Sequence, residues 1–344
     1  MNILVTGHHG YIGSVMVDVL ARAGHDVTGL DTYLYEGCDF GDDRTVVPAI
    51  RKDVRDVVRA DLQGFDAVIH LAALSNDPLG CLSDSRTLEI NHRASVQLAE
   101  AAKAAGVPRF LFASSCSLYG AAGGDRMLDE QAAFNPITAY GMSKVLVEQD
   151  VAKLADDGFS PTFFRNATAY GASPRLRADV VVNNLAGIAY TTGEVFIQSD
   201  GTPWRPLVHV EDISRAFLAA LAAPREIVHN EAFNVGSTQE NYQIRDVADI
   251  VREAVVGCSV RYADDGGPDP RCYRVNCDKI AAVLPGFRTE WTVRRGVEEL
   301  CESFKRVGLT REMFSDYVRL TRIQALQREN RLDATLRWRA PVTV

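Results

Sequence analysis

Over the first two-thirds of the chain, short apolar runs alternate with stretches whose apolar residues recur every three or four positions. The runs at 2–6, 26–31, 67–71, 110–114 and 162–166 lack the polar alternation of a half-exposed strand. They predict strands buried on both faces. Between them, 12–23, 95–105 and 143–155 carry helical spacing. Buried strand followed by amphipathic helix, repeated, predicts an α/β fold built on a doubly wound parallel sheet. From about Gly171 the rhythm loosens, through Pro203-Trp204-Arg205-Pro206, into further strand and helix pieces. A chain of 344 residues exceeds one typical core. The expected division is a large domain over 1–170, with a returning segment at about 207–235, and a smaller mixed α/β C-terminal domain over 171–206 and 236–344. The tail, 309–337, has helical spacing interrupted by charges and reads as a packed or partner-facing surface helix.

Charge narrows the partners. With 37 Lys and Arg against 45 Asp and Glu the net charge is −8, which excludes nucleic acid, since phosphate backbones call for clustered cations. A small phosphorylated molecule needs only two or three local cations and is compatible with it. Seven cysteines, at 38, 81, 116, 258, 272, 277 and 301, form no CxxC pair, and Cys272 and Cys277 lack metal-ligand spacing. No metal is expected, and the scattered odd set suits reduced thiols in a cytoplasm. The start, MNILVTGHHGYIG, has no basic and then long apolar region of a signal peptide. No apolar run approaches the ~20 residues that span a bilayer.

Gly7, Gly10 and Gly13, with His9, Tyr11 and Ile12 between them, join the first strand to the first helix. Glycines so spaced allow a tight turn and close backbone approach of a pyrophosphate to a helix N-terminus, the signature of a Rossmann-type dinucleotide site. Asp31 ends the second strand, where a carboxylate holds both ribose hydroxyls; Thr32 follows, and with no basic residue at either position NAD is favoured over NADP. Asp53-Val54 either hold the adenine edge or belong to a solvated loop.

Tyr140 and Lys144 are four residues apart, on one face of a helix. An ammonium beside a phenol lowers the phenol pKa, so that phenolate accepts a proton near neutrality. The run 110–119 is a strand leading into hydroxyls, which puts Ser114, Ser115 and Ser117 at the carboxyl end of the sheet, where ligands bind in open α/β folds.

In order and spacing, TGHHGYIG, VIHLAALS (68–75), FASSCSLYG (112–120), YGMSK (140–144), RNATAYG (165–171), RPLVHVEDI (205–213) and FNVG (233–236) resemble the extended short-chain dehydrogenases/reductases, especially sugar-nucleotide epimerases and dehydratases. The resemblance implies tightly bound NAD, a nucleotide-diphosphate sugar substrate and a homodimer joined through helices near 95–105 and 143–155. It makes Tyr140 the base that removes a sugar hydroxyl proton, with Lys144 on the nicotinamide ribose and Ser115 on the reacting oxygen. Leu71, Ala72, Ala73 and Ser114 would line the cofactor, and Ser75 and Ser117 the sugar. Arg205 would clamp the diphosphate, with Arg271 a second phosphate ligand. Arg175 and Arg177 are further candidates or solvent-facing residues. An asparagine near the diphosphate falls at Asn183 or Asn184, with Asn183 taken first. His209 reads as a structural histidine in a strand.

Two departures shape the expected reaction. Thr168 stands where many relatives have asparagine. Cys116 and Ser117 stand where relatives that make 4-keto-6-deoxy sugars carry Asp and Glu, so ordinary dehydration loses its acid and base. Cys116 is either a packed apolar residue or an acid/base beside a transient ketone. The expectation is an NAD-retaining nucleotide-sugar epimerase. A dehydratase using Cys116, a 4-keto-sugar reductase and a non-catalytic NAD-binding regulator are the alternatives.

Overall fold

The computed structural model describes residues 1–41, 45–75, 83–121, 123–263, 267 and 271–339. Seven parallel strands form the central sheet, in the spatial order Glu231–Val235, Ser160–Asn166, Arg109–Ser115, Ala67–His70, Asn2–Thr6, Asp26–Asp31 and Ala49–Arg51. The first strand has Ile3 between Val27 on one side and Ala67 on the other. Its residues alternate between two apolar layers. Ile3 and Val5 pack with Met16, Leu20, Ile213 and Phe217, whereas Leu4 packs with Val68, Leu98, Phe110 and Val147. Helices therefore cover both faces, which is why the runs read as unbroken apolar stretches. Each large side chain buried this way contributes about 1.5–3 kcal/mol.

The winding direction reverses between Asn2–Thr6 and Ala67–His70. Loops leaving the carboxyl ends of these two strands part there and open a crevice, the place where such sheets bind ligands. The predicted strands and the three helices of the first body occur with ends displaced by up to four residues, whereas the single tail helix read at 309–337 is two shorter ones, Arg311–Asp316 and Arg319–Arg328. The helix expected at 143–155 is Ala139–Ala152, because Thr138 caps it by accepting from Gly141 N at 3.1 Å. The edge strand Ala49–Arg51 was not read, being three half-exposed residues. A π-helical turn, Leu88–Arg93, also precedes the helix Ala94–Ala105.

A second body gathers the helices Val181–Thr192, Ile244–Ala254 and Val293–Val307 around Tyr170, Leu207, Val247 and Phe304. The strand Trp204–His209 runs parallel to Thr168–Tyr170 and antiparallel to Asn241–Gln243. His209 is buried there, stacked on Trp291 with ring centres 4.0 Å apart and bonded to Glu299 at 2.9 Å, a structural position. Beyond it the helix Arg319–Arg328 and the tail come back to the first body. Trp338 donates its indole N–H to Thr32 O at 2.6 Å, and Arg55 donates to Thr335 O at 2.9 Å. Among the described residues no helix is long and apolar enough to cross a membrane, and no group of three or more metal-type side chains converges.

Candidate active site

A cleft of about 560 Å3 lies at the crevice, and its walls come from both bodies. At one end is the glycine turn. Gly7 adopts φ +74°, and a Cβ there would sit 2.8 Å from Ala72 N; a Cβ on Gly13 would sit 2.1 Å from Gly7 O. Neither position admits a side chain. Gly10 is the N-cap of Tyr11–Arg22 and offers no side-chain bond to its first N–H groups. These donors and the positive end of the helix dipole are left for an anion.

Asp31 closes the same end. Its carboxylate accepts from His9 N at 3.1 Å and Tyr33 N at 2.7 Å. Burial pushes its pKa up, against these bonds and neighbouring His8. The nearby cation Arg51 is held by both oxygens of Glu36, at 2.9 and 3.3 Å, so it is not available to a 2′-phosphate. Leu71, Ala72 and Ala73 form the opposite wall, and Asp53 and Val54 the far rim. Asp53 receives the Arg55 guanidinium at 2.6 Å. A cradle with no room for Cβ atoms, helix donors and a ribose-seeking carboxylate fits NAD.

The side chains expected to be catalytic line the middle of the cleft. Gly141 brings the helix start against the strand end, since a Cβ on it would lie 2.9 Å from Ser117 O. Tyr140, Ser115 and Ser117 all line the cleft. Ser115 caps the turn Cys116–Tyr119: its Oγ accepts from Ser117 N and donates to Ser117 Oγ, each at 3.1 Å. Lys144 is buried; its Nζ donates to Ala113 O at 2.7 Å and lies 5.6 Å from the Tyr140 ring centre. Burial lowers its pKa to about 7, with Glu148 pulling the other way. Ser114 lines the cleft but gives its hydroxyl to Glu148 at 2.5 Å, which Arg165 in turn holds at 2.8 Å.

Four expected residues do not reach the cleft. Cys116 is 1% exposed, donates to Arg165 O at 3.1 Å and packs with Tyr119, Val275 and Cys277. Burial pushes its thiol pKa well up; this position is that of the packed apolar alternative. Asn183 spends its amide on Tyr11, Gly171 and Arg177; Asn184 faces the cleft in its place. Arg175 turns aside to Asp39, at 2.7 Å, and to His9. The His9 ring stands against Tyr33, with centres 4.4 Å apart. Gly7, Gly10, Tyr11, Ile12, Gly13, Ser75, Thr168, Arg177, Arg205 and Arg271 do line the cleft.

Other residues escaped the sequence reading. Asn91 accepts from Leu74 N at 2.8 Å and donates to Leu74 O at 3.0 Å, fixing the wall that leads to Ser75. Buried His70 bridges Thr6, at 2.6 Å, and Ser95, at 2.7 Å; burial lowers its pKa to about 3, so it is a neutral strut. Asp179 lines the cleft paired to Arg177 at 3.0 Å, and Arg319 reaches it from the C-terminal helix. His70 lies within VIHLAALS, where no role is read for it; Asn91, Asp179 and Arg319 stand in none of the motifs.

The family described as NAD dependent epimerase/dehydratase matches residues 3–236. A UDP-glucose 4-epimerase of Corynebacterium glutamicum is 30% identical over 321 residues, covering 87% of this chain and 94% of its own. The structure of MoeE5 in complex with UDP-glucose and NAD superposes with a TM-score of 0.78 at 28% identity, covering 90% of this chain and 100% of that one. The UDP-glucose 4-epimerase of Thermotoga maritima with UDP-glucose gives 0.77 at 25% identity, with coverage of 90% and 100%.

Proposed function

The chain belongs to the NAD-dependent epimerase/dehydratase family, with NAD as its cofactor, and within it we propose a nucleotide-sugar epimerase acting through a transient keto-sugar. One observation carries this reading. The catalytic corner presents hydroxyls, a phenol and an ammonium, while Cys116, the acid that the sequence places beside it, is buried away from the cleft. Dehydration needs a group to take a second, carbon-bound proton. The carboxylate Asp179 lines the cleft but is engaged by Arg177, and Asp31 and Asp53 belong to the adenosine end.

In this reading Tyr140 removes the proton of a sugar hydroxyl, Ser115 holds the oxygen, and Lys144 stabilises the phenolate. Bound NAD supplies the hydride acceptor and then the donor. Tyr140 returns the proton once the opposite face of the ketone has been presented. Ser75, Ser117 and Thr168 are small and leave room for that turn. Arg205 and Arg271 hold the diphosphate. The named relatives favour a UDP-sugar. Six described cysteines are free, as suits the cytoplasm, while Cys81 lies outside the described residues. A homodimer through Ala94–Ala105 and Ala139–Ala152 accords with the exposed Met142 on the second helix.

The test is Tyr140→Phe. Turnover of UDP-sugars, followed by product chromatography, is expected to fall at least ~100-fold, the general-base contribution, with bound NAD unchanged. A variant at wild-type rate overturns the assignment of the base.

A further inference from the structure

The family match ends at residue 236, yet a cation from beyond it enters the cleft. Arg319 opens the helix Arg319–Arg328 and is 2% exposed. Its Nη2 donates to Arg175 O at 2.7 Å, and its guanidinium lies over the Tyr35 ring, 4.1 Å from the centre. Its Nη1 is buried without a hydrogen-bond partner among the described residues, and the residue lines the cleft. A buried guanidinium N–H without an acceptor is expensive. Asp179, the neighbouring carboxylate, is taken by Arg177.

Position identifies the missing acceptor. Tyr35 follows four residues after Asp31, the ribose-end carboxylate. Arg175, whose carbonyl anchors Arg319, sends its own side chain to His9 in the glycine turn. Arg319 is thus linked through Arg175 to the turn where the helix N-terminus leaves donors for an anion. Arg205 and Arg271 line the cleft from other segments of the chain.

We propose that Arg319 is a phosphate ligand of the cofactor site: the C-terminal helix brings it onto the outer side of the NAD diphosphate, opposite the Gly7–Gly13 turn. The diphosphate supplies an ionised oxygen acceptor for Nη1, a stronger partner for a guanidinium than a neutral sugar hydroxyl. The tail then acts as a strap, tied by Trp338 to Thr32 and by Arg337 to Asp56 at 2.5 Å. This rests on NAD as cofactor and not on which sugar is turned over.

Arg319→Gln retains a donor for Arg175 O and removes the charge; Arg319→Lys retains the charge. NAD and adenosine affinities are measured by calorimetry on cofactor-stripped full-length protein, with NAD per protomer determined in the protein as purified. A hydrogen bond to an ionised phosphate predicts roughly 10- to 100-fold weaker NAD binding in Arg319→Gln. Adenosine, which lacks phosphate, binds unchanged, and Arg319→Lys recovers part of the NAD affinity. Unchanged NAD affinity overturns the proposal. So does an equal loss for adenosine, which marks a structural role. A raised KM for nucleotide-sugar with NAD affinity intact assigns the anion to the substrate and overturns it too.

Discussion

Lys144→Met separates what the lysine does for catalysis from what it does to stability. The ammonium is buried between Phe112 and Tyr140, and its pKa falls from 10.5 to about 7 through burial. Each tenfold change in a proton equilibrium is about 1.4 kcal/mol, which caps the penalty of keeping the folded lysine charged at about 5 kcal/mol. Methionine, of similar length and apolar, removes that penalty. It also strands Ala113 O, worth about 1–3 kcal/mol, and loses a cation–π contact of about 1–2 kcal/mol. At pH 6 these losses leave a net gain of about 0–3 kcal/mol, up to a few degrees in Tm. The folded value is depressed for a base, so between pH 7 and 10.5 the unfolded chain binds the proton more readily. Wild-type stability therefore rises across that window, and the penalty is complete only below it. Thermal melts of cofactor-stripped wild type and Lys144→Met at pH 6, 8 and 9.5 give the difference directly. It should favour the variant at pH 6 and shrink or reverse by pH 9.5, while turnover is lost at every pH. A variant less stable than wild type at pH 6, or a difference independent of pH, refutes burial as the dominant influence on Lys144.

Two further substitutions probe the cofactor cradle and the buried cysteine. Gly13→Ala puts a Cβ 2.1 Å from Gly7 O and should displace the turn; NAD released on denaturing the purified variant is expected to drop well below that of wild type, and a full complement would show that the turn adapts. Cys116→Ala should keep kcat within about threefold of wild type and lower stability by about 1–2 kcal/mol, as a small buried truncation does; a loss approaching that of Tyr140→Phe would return the thiol to the chemistry.

What the sequence disclosed follows from how local each signal is. Strands such as 2–6 show in the pattern because helices bury both their faces, and the glycine turn shows because its geometry excludes side chains. Tyr140 and Lys144 share one helix, so four residues of spacing suffice to pair them. Side-chain direction in loops is set by packing, which spacing does not encode. Cys116 and Ser117 are adjacent, yet one faces Arg165 O and the other the cleft. Asn183 and Asn184 divide the same way, since Tyr11 and Gly171 claim the first. Arg319 was illegible for a different reason. Its partners Tyr35 and Arg175 are over a hundred residues away in sequence, and only the returning tail brings them together.

The most direct test of the epimerase reading is turnover of a UDP-sugar in deuterated water, with the product examined by NMR. A hydride-swap epimerase gives an inverted sugar with no deuterium on carbon. Deuterium at a carbon of the product, or a product that has lost water, contradicts it.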